Sequence, residues 1–278
     1  MSLIDGTAFF IGTLAVFHNN FHCSFVIVVM DAVKIWGKTL RAAMRLNVVK
    51  VSRAEFLEKE LGHYCAPATI EKIISGEEKT YNLIPIETLD HVAAGCINYQ
   101  TTVACSIAAV AGVPGGLGLA LAIPADLAQF YGNILALSQK LMYIYGWPDI
   151  RDKKGEIDDA TLQVLTLFVG VAMGCKEAGK AINAILAKLS DQLIRNIPEK
   201  LVTHSAFYSV VRQVASWIGI KISKESLAKG IGKAVPLIGA PINAGMTYYT
   251  FKPMANRLKK HLRSQALTNI GQLGLKLC

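Results

Sequence analysis

Charge is what the middle of this chain lacks. Between Asp90 and Lys140 the only Asp, Glu, Lys or Arg is Asp126, and a stretch so averse to water belongs in a protein core or a bilayer. Paired cysteines are missing too. The cysteines at 23, 65, 96, 105, 175 and 278 form no C-x-x-C unit and several sit in apolar helical runs, a pattern of buried reduced thiols rather than of a disulfide framework or zinc site. Residues 1–29 have neither Lys nor Arg, and their apolar run is broken at His18, Asn19, Asn20 and His22. That makes a poor signal peptide and a poor membrane span, which needs about 20 apolar residues with basic anchors. Met30 opens what reads as an ordinary cytosolic N-terminus, so 1–29 is expected to be a dispensable or mis-started extension.

What the chain has is apolar residues and positive charge. Of its 278 residues 52% are apolar, enough for a sizeable core, and the net charge of +9 with pI near 9.2 favours an anionic partner. The centre of the pattern is 112–147. Gly112, Pro114, Gly115, Gly116 and Gly118 suit a tight hairpin tip. Pro124 can occupy a first helical turn, and Asp126 then lies at the positive end of that helix. Apolar side chains recur from Leu127 through Phe130, Tyr131, Ile134, Leu135, Leu141, Met142 and Tyr145. Gly146 and Pro148 stop the run. Before the tip, Thr88 to Ala111 reads as the matching long helix. Asn98, Gln100, Thr101, Thr102, Gln129, Asn133, Ser138 and Gln139 are too many polar groups for lipid, so a buried pair is expected rather than a hairpin dipping into the bilayer.

Two helices are amphipathic and basic. From Asp31, a possible N-cap, to about Val49, the residues Lys34, Lys38, Arg41 and Arg45 form one narrow stripe opposite Trp36, Leu40 and Ala43. Such a helix suits a lipid surface, although a charge stripe more commonly just solvates a face whose apolar arc packs on the core. The last helix places Phe251, Met254, Leu258 and Leu262 on one side, with Lys252, Arg257, Lys259, Lys260 and Arg263 around the rest. For the two helices to act on one membrane, their basic residues must share a side of the fold. Between them, Ser52-Arg53-Ala54-Glu55 reads as a capping box, and 76–82 as a polar loop. The polar stretch 148–157 divides 30–147 from 158–278. Gly170 and Gly174 form a small-residue packing ridge, and the Gly/Pro-rich run through Pro236, Gly239, Pro241 and Gly245 precedes the final helix as a turn. The fold expected is all-α, with about ten helices in two halves around the apolar hairpin, or one compact domain over 30–278.

The runs G-G at 115–116, P-A-D-L-A-Q-F at 124–130, Q-K-L at 139–141 and Y-I-Y-G-W at 143–147 resemble the EcsC family of bacterial proteins. The block V-P-L-I-G-A-P-I-N-A-G-M-T-Y-Y-T-F-K-P-M-A-N-R-L-K-K-H-L-R at 235–263 resembles that family's C-terminal signature, in matching order and separation. The resemblance covers about 52–263 and carries Gly115, Gly116, Pro124, Asp126, Gln139, Lys140, Tyr145, Gly146, Pro236, Gly239 and Gly245 as motif positions. The family's founding member is encoded beside the ATPase and membrane subunits of an ABC exporter linked to protein secretion. The resemblance therefore implies work at the cytoplasmic face of the cell membrane.

Catalytic and cofactor motifs are scarce. G-I-G-K at 230–233 lacks phosphate-loop spacing, and G-G-L-G at 115–118 is not a dinucleotide fingerprint. His18 and His22 have no third ligand near them in sequence, and His63 with Cys65 reads as a surface histidine and a buried thiol rather than a reactive pair. Gln139 and Lys140 are compatible with ordinary edge positions. The aromatics sit at core spacing, which argues against nucleic acid. No catalytic residue, metal or cofactor is assigned. The function expected is non-enzymatic, that of a cytoplasmic protein peripheral to the inner membrane face. There it binds anionic lipid through Lys34, Lys38, Arg41, Arg45, Arg257, Lys260 and Arg263, and assists or regulates an ABC-type export system. The alternative is an enzyme or carrier for lipids or other apolar molecules, with Asp126 as its polar centre and a cavity beside it.

Overall fold

The computed structural model describes residues 32–111, 125–150, 159–189, 209–221 and 239–276. The expected tip with Gly115, Gly116 and Pro124 lies outside the described residues, as do 1–29, Asp31, His18, His22 and Pro236. Among the described residues there are ten α-helices and no strand. They are α1 (32–44), α2 (Arg53–Leu61), α3 (Pro67–Ser75), α4 (Thr80–Leu83), α5 (Ile86–Ala111), α6 (Ala125–Ile144), α7 (Asp159–Ala172), α8 (Lys176–Leu189), α9 (209–221) and α10 (Gly239–Lys276). A 3-10 turn covers Asn47–Val49.

A helix without a charged face has no side to give to water, and α6 is enclosed accordingly. From Leu127 to Ile144 only Gln129, Phe130 and Lys140 are even half exposed. Helices α5, α10, α7 and α2 and the 3-10 turn pack around it. Residues on both sides of 148–157 share one contiguous core, from Trp36 to Ala266, and α10 lies against α5. Gly170 allows α7 to meet α8 and α9, since a Cβ there would stand 2.6 Å from Val214 and 2.8 Å from Ala178. Of the expected ridge only Gly170 packs inside this core; Gly174 lies past the end of α7, exposed and with φ 89°.

The C-terminal end of α6 is closed in detail. Gly146 adopts φ 82°, the Trp147 amide donates to the Met142 carbonyl at 2.9 Å, and the Gly146 amide donates to Tyr143 at 3.2 Å. The Thr80 hydroxyl donates to the Ile144 carbonyl at 2.7 Å. Arg53, 7% exposed, donates from Nε to the Trp147 carbonyl at 3.2 Å and from its terminal nitrogens to the Ile73 and Ile74 carbonyls at 3.0 Å each. One guanidinium therefore joins the ends of α3 and α6, where helices leave carbonyls unpaired and carry partial negative charge. Burial lowers its pKa, and nearby Asp149 partly offsets that.

Several local expectations need correction. Helix α1 ends at 44 rather than 49, because Leu46 is extended (φ −77°, ψ 134°) and the chain turns to bury Val49 on α6, where Gln139 Nε2 donates to its carbonyl at 2.8 Å. Ser52 does precede a helix, but its hydroxyl makes no capping bond; the fixed point is Arg53 beside it. The 76–82 loop contains the short helix α4, held by Thr80. Gly239, Pro241 and Gly245 lie within α10 rather than in a turn before it. Pro241 falls in the first turn, where its missing N–H has no helical partner to lose. Pro253 interrupts the same helix on its exposed side, next to solvent that can hydrate the freed carbonyl.

Candidate functional site

The basic side chains of α1 are at the surface. Lys34, Lys38, Arg41 and Arg45 are all exposed, while Trp36, Leu40 and Ala43 are buried. The Trp36 indole N–H donates to the Thr166 hydroxyl at 3.1 Å and its ring meets Tyr131 edge-on at 5.4 Å. The apolar arc is thus part of the core and is not available for insertion into lipid; the charged arc faces solvent.

Helix α10 contains no acidic residue. Lys260 and Arg257 are exposed, Arg257 also donating from Nη1 to the Ala172 carbonyl at the end of α7, at 3.2 Å. Arg263 departs from the expected role of a free lipid-facing cation: its Nε donates to Asp90 Oδ2 at 2.5 Å. Lys259 donates to the Asp90 carbonyl at 2.9 Å, and the Tyr145 hydroxyl to Asp90 Oδ1 at 2.6 Å. Asp90, the last charge before the charge-free stretch, therefore ties α5 to α6 and α10. Burial, reinforced by the Asp90 hydrogen bond, pushes the Tyr145 pKa up and keeps the phenol protonated.

The two basic helices pack on different flanks of α6. A Cβ on Gly132 would stand 2.7 Å from Leu46 Cδ1 and 3.8 Å from the Ala43 carbonyl, so the end of α1 lies over Gly132. Phe130, about 200° away around α6 at 3.6 residues per turn, packs edge-on against Phe251 of α10 at 5.9 Å. Trp36 of α1 also meets Tyr131, about 100° from Phe130, so α1 covers the Tyr131–Gly132 flank of α6 and α10 the Phe130 flank, each with its buried arc inward.

Behind these faces lie polar groups that sequence placed at edges. Gln139 is fully buried, and besides Val49 its Nε2 reaches the Leu135 carbonyl at 3.3 Å. Lys140 donates to Gln100 Oε1 at 3.2 Å, Gln100 to Asn133 Oδ1 at 2.6 Å, and Asn133 to the Gln129 carbonyl at 2.9 Å. These bonds tie α5 to α6 through polar side chains, which is the physical reason the hairpin tolerates them away from water. Burial lowers the Lys140 pKa and pushes the Cys96 thiol up to about 12, so Cys96 is an inert thiol. His63 is exposed, and Cys65, half-buried, donates to the Leu61 carbonyl. Asp126 is the second residue of α6, and its side chain lies outside the described ones. A cavity of about 290 Å³ opens between α1, α7 and α9, lined by Trp36, Leu40, Leu162, Thr166 and Ala215 among others. Among the described residues no three His, Cys, Asp or Glu side chains gather in metal-binding geometry, and no helix is long and apolar enough to cross a membrane.

A residue that sequence did not single out, His261, sits where α8 meets α10. Its ring lies against Gly179, and its Nε2 is 2.9 Å from Gln265 Nε2, which also donates to Asn183 Oδ1 at 2.7 Å. Burial lowers the His261 pKa. The unfolded chain takes up this proton near the ordinary value of about 6.5, while the folded chain resists it. The stabilisation from the neutral ring is therefore fully present above that pH and is lost as pH falls below it, down to the lowered folded value. Thermal melts between about pH 8 and pH 5 should show a decline in wild type that is shallower in His261→Gln; identical slopes would remove His261 as the cause. No protein-family model, no curated protein and no solved structure matches the chain.

Proposed function

We propose that this chain is a non-enzymatic, EcsC-like protein that docks reversibly on the anionic inner face of the cell membrane and assists or regulates an ABC-type exporter there. The observation that carries the docking is the split of α1: its apolar arc is sunk in the core, and its four basic residues face outward. Contact of that kind is electrostatic. Each Lys or Arg near an anionic leaflet contributes about 1 kcal/mol, so a stripe of this size gives weak, reversible binding, screened over about 8 Å at physiological salt. The exporter enters only through the family resemblance. The lipid-enzyme or carrier reading rests on Asp126, whose side chain lies outside the described ones.

Liposome flotation tests the proposal. The protein should rise with vesicles containing phosphatidylglycerol, stay behind with neutral vesicles, and be released as salt increases. Binding to neutral lipid that resists salt would replace surface docking with insertion, and no flotation on either lipid would end the membrane reading.

A further inference from the structure

We infer that the protein is bivalent toward anionic membranes, presenting two basic faces on different flanks of α6 so that one molecule can hold two bilayers together. This rests on the surface-docking reading above and extends it.

The first face is the α1 stripe. The second is the outer side of α10, which carries Lys252, Arg257, Lys259, Lys260 and Arg263; of these, Arg263 and, at 3.9 Å, Lys259 meet the Asp90 carboxylate, and Glu87 is the next acid felt by Arg263. This face also presents aromatic groups. Tyr249 is 79% exposed and Tyr248 43%, their rings edge-on at 5.8 Å, and Lys252 donates to the Tyr248 hydroxyl at 3.0 Å. At 100° per residue, Tyr249, Lys252, Asn256 and Lys260 fall on one stripe. Tyrosine with lysine on an exposed helix suits the headgroup layer, where the ring is partly apolar and the hydroxyl wet.

Separation makes the faces independent. Packed helix axes lie about 8–10 Å apart, so the α1 and α10 axes, on flanks of α6 at least about 100° apart, are separated by roughly 12 Å or more, and their outward cations by a greater distance. That exceeds the screening length of about 8 Å in physiological salt. A flat bilayer bound to one face leaves the other for a second bilayer.

The test mixes two populations of phosphatidylglycerol-containing vesicles, one carrying a donor dye and the other an acceptor, and reads energy transfer and turbidity beside flotation. Wild type should raise both clustering signals several-fold over vesicles alone. Two surface variants, Lys38→Glu with Arg41→Glu on α1 and Lys252→Glu with Lys260→Glu on α10, should still float yet drop to the background signal, with unchanged thermal melts. Wild type that floats without clustering would overturn bivalence while leaving surface docking intact. Undiminished clustering by either variant would also overturn it, since a dimer using a single face would behave in that way. Failure of wild type to float would remove both readings.

Discussion

Replacing Arg53 with Met is expected to cost about 3–5 kcal/mol of folding stability, the range for removing one partner from a buried charged contact. Three carbonyls, those of Ile73, Ile74 and Trp147, would lose their donor in a place with little access to water, and an unpaired buried acceptor costs about 1–3 kcal/mol. Met approximates the stem's volume, so the loss reports hydrogen bonding rather than a cavity. Arg53→Lys should fall between, because a single ammonium carries the charge but lacks the planar fork that reaches two helix ends at once. Urea denaturation with an unchanged m-value is the measurement. A loss below about 1 kcal/mol for Met would mean that water replaces the guanidinium.

Gly146→Ala should cost about 2–4 kcal/mol, combining the penalty for a side chain in the left-handed region with overpacking. The backbone there has φ 82°, and an added Cβ would stand 2.7 Å from the Tyr81 ring. The two causes separate in a double variant. Tyr81→Ala removes the steric part, so Gly146→Ala should cost less in that background, leaving the conformational part. Full additivity would show that the ring moves aside freely and that only the dihedral angle matters.

The apolar hairpin, the stop at Gly146 and the placing of α10's core face at Phe251, Met254, Leu258 and Leu262 were legible in sequence, because helical periodicity and glycine chemistry are local. Ser52 and Arg53 show where locality ends. The S-x-x-E spacing marks a real helix start, yet the stabilising group is the neighbouring arginine, whose partners lie 20 to 94 residues away. Gln139 and Lys140 stayed ambiguous for a similar reason: a polar side chain on a helix does not say whether it sits at an edge or meets a distant partner, here Val49 for Gln139 and Gln100 for Lys140. Asp90 carried a usable signal, since a carboxylate that closes a charged region before a long neutral one is well placed to anchor its start. The relative placement of α1 and α10 carried none, because each helix reports its own amphipathic direction and nothing of the other's.

The packing of α10 on α5 also bears on how the chain is made. Helix α5 leaves the ribosome well before the helix that covers it. Between Ala111 and Lys276 the growing polypeptide has 165 more residues to add, which at 5–20 residues per second takes roughly 10–30 s. Throughout that interval the water-averse flank of α5 has no α10 to lie on. The nascent chain therefore resembles a client for a holding chaperone, and a ribosome that stalls before Gly239 leaves an aggregation-prone fragment rather than a smaller folded protein.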